Sequence, residues 1–217
     1  MGTDEVLLFE DFSTCEEGGA PPGDWWVEGG EKVFIDDGHL RVKSNPPGGR
    51  DPGTVCTVWH RRVFSGDLRV EFDAHVIESA VHANNINFFL FYADPSGVSL
   101  FETRRDRAGA GYGLYHDLNG YIITFLNDTE HQSGKARFRM RRCPGFRLVD
   151  EAYAYHCRKG QTYHVVVTRT DGRLTYAVDG ETYVAWTDPE PLREGLIGLR
   201  TFRTDLWWDH IRVVRTG

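Results

Sequence analysis

Tyr115, His116, Tyr121, Arg139, Arg141, Tyr155, His156 and Arg200 supply the groups that β-elimination from a uronate requires. In that reaction a base takes the proton beside the carboxylate and an acid protonates the departing oxygen. Cations neutralise the carboxylate as the enolate develops. His116 is the expected base and Tyr121 the expected acid, with Arg139 or Arg141 on the carboxylate. Asn87, Tyr115 and Arg200 are expected as further substrate contacts, and Tyr155 and His156 as additional catalytic candidates. A dehydratase acting on a uronate would use the same groups, because it also eliminates across the carbon next to the acid. The competing reading of any single Tyr or His on a strand is packing or ordinary hydrogen bonding.

Two other chemistries fit less well. Glycoside hydrolysis needs paired carboxylates about 5–5.5 Å apart for retention or roughly 6.5–9.5 Å for inversion. Glu71-Phe72-Asp73-Ala74-His75 offers two acids on one side of a strand, but a histidine stands where a third acid would complete a glucanase-type pattern. That run reads better as an outward-facing strand over a buried face of Val70, Phe72, Ala74 and Val76. Sugar rings could stack on tryptophan, since a pyranose presents an apolar C–H face to an aromatic ring. Trp207 and Trp208 are adjacent and must face opposite ways. Counting back from Ile211 puts Trp207 in the core and leaves Trp208 beside His210 as the ligand candidate. No GxSxG, HExxH, P-loop or helix-opening GxGxxG occurs. His82, Asn84 and Asn85 have no metal-specific spacing, and no metal site is expected.

The elements that must position these groups are strands. A period of two runs through the chain, with no convincing amphipathic helix. VLLFEDF opens as an edge strand, and Asp37-Gly38, Asp171-Gly172 and Asp179-Gly180 mark hairpin turns. The central stretch Asn84–Arg142 reads as strand-like runs with polar and ionisable residues alternating along them. Within it Asn85, Asn87, Phe89 and Phe91 should share one face and Ile86, Phe88, Leu90 and Tyr92 the other. Arg137, Arg139 and Arg141 should oppose Phe138 and Met140. Near the C-terminus, Ile197, Leu199, Ile211 and Val213 should be core, with Gly198, Arg200, His210 and Arg212 facing away. About a dozen short strands with regular turn signals, no linker and no repeat imply one all-β sandwich spanning residues 1–217.

GLIGLRTFRTDLWWDHIRV resembles the C-terminal signature of concanavalin A-like jelly rolls, a Gly-x-Ile-Gly-Leu strand followed by one ending in Asp-x-Ile-x-Val. With WHRRVFSGDLRVEFDAHV, NINFFLFYADPSG, YHDLNGYIITFLND and RFRMRRCPGF, nearly the whole chain is similar to the YesU-like family. That is a bacterial jelly-roll family with a domain of unknown function, found near polysaccharide-degrading genes. The resemblance implies a concanavalin A-like lectin/glucanase β-jelly roll of two antiparallel sheets in a saccharide-utilisation setting, and supplies no catalytic assignment. A structural calcium on loop carboxylates such as Asp11 or Asp209 would be common for such a fold; no other cofactor is expected.

The expected function is therefore a lyase or dehydratase acting on a uronate-containing oligosaccharide bound on the concave sheet face. The alternatives are a non-catalytic carbohydrate-binding module or a glycoside hydrolase. A net charge of −7 with locally clustered arginines suits an anionic oligosaccharide, and gives no basic footprint for nucleic acid or a membrane surface. No apolar run approaches the roughly 20 residues that span a bilayer. MGTDEVLLFEDF lacks a signal peptide's basic start and apolar core, so the chain as written reads as cytoplasmic, or periplasmic or secreted if a leader has been removed. Oligomeric state is not legible. Cys15, Cys56, Cys143 and Cys157 show no zinc spacing. They leave open either a Cys143–Cys157 disulfide or free buried thiols.

Overall fold

A computed structural model describes residues 4–46, 53–80, 82–127, 134–154 and 156–217. In chain order its strands are β1 (Glu5–Glu10), β2 (Trp25–Gly29), β3 (Lys32–Asp36), β4 (His39–Lys43), β5 (Val55–His60), β6 (Phe64–Ser65), β7 (Leu68–Ser79) and β8 (Ile86–Ala93). After a long connection come β9 (Asn119–Asn127), β10 (Ala136–Cys143), β11 (Arg147–Ala154), β12 (Thr162–Thr170), β13 (Arg173–Val178), β14 (Glu181–Thr187), β15 (Glu194–Phe202) and β16 (Thr204–Arg215). One sheet runs β14-β13-β12-β7-β16-β4-β3, with β1 added along β16. The other runs β11-β10-β9-β8-β15-β5-β2, with β6 on β15. All pairings are antiparallel, and the chain is an all-β jelly-roll sandwich.

The hairpin signals act as expected. Asp37-Gly38, Asp171-Gly172 and Asp179-Gly180 all have positive φ at both positions, the turn conformation whose twist matches the flanking strands. Between the sheets lies one apolar layer that includes Val70, Phe72, Ala74 and Val76 of β7, Phe138 and Met140 of β10, and Ile197 and Leu199 of β15. Ile211 and Val213 of β16 complete the alternation read from the sequence.

That alternation fails at two β-bulges. Register in β8 shifts between Leu90 and Ala93, at Phe91 with φ +55°. The extra residue turns Phe91 into the inter-sheet core and Tyr92 into a second cluster with Phe89, the reverse of the expected faces. Register in β16 shifts between Asp209 and Arg212, at His210 with φ +49°. Counting back from Ile211 crosses this bulge and inverts the two tryptophans. Trp208 is fully buried in the core and is not a ligand contact. Trp207 faces outward, with ring centroids 4.2 Å from His39 and 5.0 Å from His75.

A third departure is residues 94–118, part of the stretch read as strand-like. They form turns and two short 3₁₀ segments, Arg104–Arg107 and Tyr112–Tyr115. Ala-Gly-Ala-Gly-Tyr-Gly at 108–113 has no apolar alternation, and glycine weakens a strand. Leu100, Tyr115 and Leu118 of this connection pack with Trp26, Trp59, Phe89 and Ile122 on the outer face of the second sheet. The four cysteines are free. Cys157 lies in the inter-sheet core and Cys143 in the outer cluster, so the disulfide considered above has the sheet between its partners. Glu71 and Asp73 lie on β7 in the first sheet and are tied into surface pairs, Glu71 with Arg69 and Arg212, Asp73 with His164 and His210. This is the outward-facing strand favoured above.

Candidate functional site

Strand register assembles a polar row across the outer face of the second sheet. Arg200 of β15 pairs with Thr57 of β5 and Asn87 of β8. Asn87 pairs with Thr124 of β9, Thr124 with Arg139 of β10, and Arg139 with Glu151 of β11. One row along, Phe202 opposes Val55 and Leu126 opposes Arg137. With Asn85, Tyr112, Arg141 and Phe146, all of these residues except Thr57 and Glu151 line a pocket of about 380 Å³, within the range of small-ligand sites.

Four guanidinium groups face it, and no Asp or Glu belongs to its described lining. Arg200 is 2% exposed. It donates to Thr57 Oγ1 at 2.7 Å and to the Ala110 carbonyl at 3.0 Å, and lies 4.9 Å from the Tyr112 ring centroid. Burial pushes the Arg141 guanidinium below its ordinary pKa; it lies over the Phe146 ring and donates to that residue's carbonyl at 3.1 Å. Burial also opposes the charge on Arg139, but hydrogen bonds to Glu151 at 2.9 Å and Tyr153 at 3.0 Å prevail and raise its pKa. A cationic floor of this kind matches a carboxylate or another oxyanion.

The wall rests on a carboxylate that sequence reasoning missed. Glu28 is 1% exposed and accepts from Tyr115 at 2.7 Å, Trp59 at 3.0 Å and Trp26 at 3.4 Å. It also pairs with Arg107 at 3.1 Å. In Trp-Trp-Val-Glu-Gly-Gly this acid shares a face with Trp26 and reads as solvent-facing; the covering connection is what buries it. Tyr112 and Phe146 were missed too, since nothing local marks them.

The catalytic pair expected from the sequence does not form. Tyr121 pairs with Leu90 and points into the inter-sheet core. Its hydroxyl donates to Asp188 at 2.7 Å and accepts from the Leu192 amide at 2.9 Å, and burial raises its pKa. His116 follows the second 3₁₀ segment, on the other side of the sheet. Its ring stacks on Phe146 with centroids 3.8 Å apart, and its Nε2 is buried without a hydrogen-bond partner. Burial, then Arg141 and Arg200, lower its pKa. His116 therefore backs the wall and does not line the pocket. Tyr115 is fully buried on Glu28 and is no substrate contact; burial raises its pKa. His156 is exposed in the connection between β11 and β12 and outside the pocket lining. Tyr155 lies outside the described residues. Asn87, Arg139, Arg141 and Arg200 are the expected site residues that the structure brings together. Among the described residues no group of three or more His, Cys, Asp or Glu side chains, Asp11 and Asp209 included, is placed to hold a metal.

A lectin-like jelly roll with a polar pocket on one sheet face is thus the class that fold and site define. Residues 51–211 match the model of the family described as Domain of unknown function (DUF6250), and the chain belongs to that family. No curated protein matches it. Among solved structures, a protein of unknown function with a galectin-like fold from Bacillus subtilis is 20% identical, with 97% of each chain covered and a TM-score of 0.76. A carbohydrate-binding module, CBM66, from Bacillus subtilis is 13% identical over 87% of this chain and 93% of that one, with a TM-score of 0.57. A structure described with endo-acting O-glycanases of the human gut microbiota is 14% identical over 98% of this chain and 100% of that one, with a TM-score of 0.66. These likenesses establish the fold.

Proposed function

We propose that the protein recognises an anionic saccharide, a uronate-containing oligosaccharide above all, in the pocket on the second sheet. The observation that carries this reading is the convergence of Arg137, Arg139, Arg141 and Arg200 on a described lining without acidic side chains. Guanidinium groups gathered around buried Asn87 and Thr124 suit a ligand bearing both carboxylates and hydroxyls. Support for a saccharide comes from the carbohydrate-binding module and the glycanase-associated structure that share the fold.

Binding is favoured over elimination. Besides arginine, the titratable group on the described lining is Tyr112, and burial raises its phenol, which makes it a poor base near neutrality. The deciding experiment is calorimetry with oligogalacturonate and a neutral galactose oligomer of equal length. Oligogalacturonate should bind and the neutral oligomer should not. Arg139→Gln should weaken binding by roughly ten-fold or more, the loss of a charged hydrogen bond of about 1.5–3 kcal/mol. Equal affinity for both oligomers would sink the reading. Ultraviolet absorbance from an unsaturated uronate in the same mixtures would restore the lyase reading.

A further inference from the structure

The polar row is not uniform along its length. At the β11 end Glu151 is 37% and Arg139 21% exposed at the side chain, and Tyr153 is 38% exposed. Exposure then falls to 5% at Thr124, 6% at Asn87, 2% at Arg200 and zero at Thr57. The open end lies on an edge strand, so the row runs out over the side of the sheet.

The other end is closed by the connection between β8 and β9. Ala110 is fully buried, and its carbonyl accepts from Arg200. The Gly29 amide of β2 donates to the Ala108 carbonyl at 2.8 Å. A Cβ on Gly29 would sit 2.7 Å from the Ala110 side chain and 2.3 Å from the Val55 carbonyl oxygen, so the connection lies directly on the β2–β5 ribbon with no room beneath it. Glu28 pairs across from Thr57 on that ribbon and clamps Arg107 of the same connection. On the flank, Phe146 is held between His116 and Arg141, and the Gly145 amide donates to the His116 carbonyl at 2.9 Å. The inner end and one flank are therefore fixed by interactions on several elements.

From this we propose that the pocket takes the end of an oligosaccharide chain and not an internal stretch. Accepting the saccharide reading above, the terminal sugar enters from the β11 edge. Its acidic group lies against Arg200 beside Asn87 and Thr124, and the following units leave past Arg139. A saccharide crossing the sheet along this row would have to pass through Ala110 and Thr57, where the described residues leave no channel. Arg200 is in a position to read the terminal charge because burial fixes its direction, and the rings of Tyr112 and Tyr115 pack against it.

The test is the stoichiometry of binding. Galacturonate trimer, hexamer and long polygalacturonate are titrated into the intact protein, with concentration counted per chain. End insertion gives one protein per chain at every length and the same affinity per chain. A groove open at both ends gives a number of proteins per chain that rises with length, and that result overturns the inference while leaving the saccharide reading intact. Capping provides a second measurement: the reducing end is converted to its alditol in one hexamer, and the non-reducing end to its 4-O-methyl ether in another. End insertion requires that one cap weaken binding at least ten-fold and the other be tolerated; indifference to both caps overturns it. If no uronate chain binds at any length, the underlying saccharide reading falls, and the inference with it.

Discussion

Replacing Glu28 by Gln removes one negative charge from a site where four groups converge. The carboxylate is 1% exposed and its cation, Arg107, 5%. Gln keeps the volume but leaves the guanidinium with only the Thr103 hydroxyl at 2.9 Å and the Leu100 carbonyl as partners. It also places an amide N–H where Tyr115 or Trp59 now donates. Breaking a buried ion pair from one side costs about 3–5 kcal/mol, because the remaining charge is left uncompensated. For a chain of this size that corresponds to a fall in Tm of about 6–20 °C. Urea unfolding followed by tryptophan fluorescence is the suitable assay, since Trp26 and Trp59 both donate to this carboxylate. The double variant Glu28→Gln/Arg107→Met removes both charges and should regain at least half of the loss. Because the same clamp holds Tyr115 against Arg200, oligogalacturonate affinity should fall in the single variant. A loss below about 1 kcal/mol, or a double variant no more stable than the single one, would refute this account of the buried pair.

Two further outcomes concern other parts of the molecule. Trp208→Ala should destabilise the fold by about 3–5 kcal/mol through loss of a large core side chain, and Trp207→Ala by about 1 kcal/mol or less. Neither should alter saccharide affinity, and a ligand effect at Trp208 would mean the β16 bulge is misplaced. For His60, burial lowers the imidazole from 6.5 to about 4, so between those values the unfolded chain holds a proton that the folded one refuses. The contribution of His60 to stability is then most favourable above pH 6.5 and declines as pH falls through this window toward about 4. The difference in urea midpoint between the wild type and His60→Gln, taken as a function of pH, should change across that window. A constant difference would show that His60 titrates normally.

The all-β class, the three Asp-Gly hairpins, the core faces of β7, β10 and β15, and the arginine face of β10 were legible in the sequence. Each depends on a period of two or on a turn dipeptide, which are local signals. The row Arg200–Asn87–Thr124–Arg139 was legible only as four residues of suitable type, because register between strands distant in sequence is a tertiary property. The bulges at Phe91 and His210 were invisible for a related reason. One inserted residue inverts every face beyond it, and no turn dipeptide marks either position. Hence the two tryptophans were exchanged and Tyr92 was assigned to the wrong side. Residues 94–118 carried the largest change of meaning. Their sequence supplied the candidate base and a candidate contact, His116 and Tyr115, yet their packing over Glu28 turned both into wall. The sequence by itself determined which chemical groups the protein owns and that strands would carry them. Only the tertiary structure decided which groups share a cavity, since desolvation and contact depend on what covers a residue and not on its neighbours along the chain.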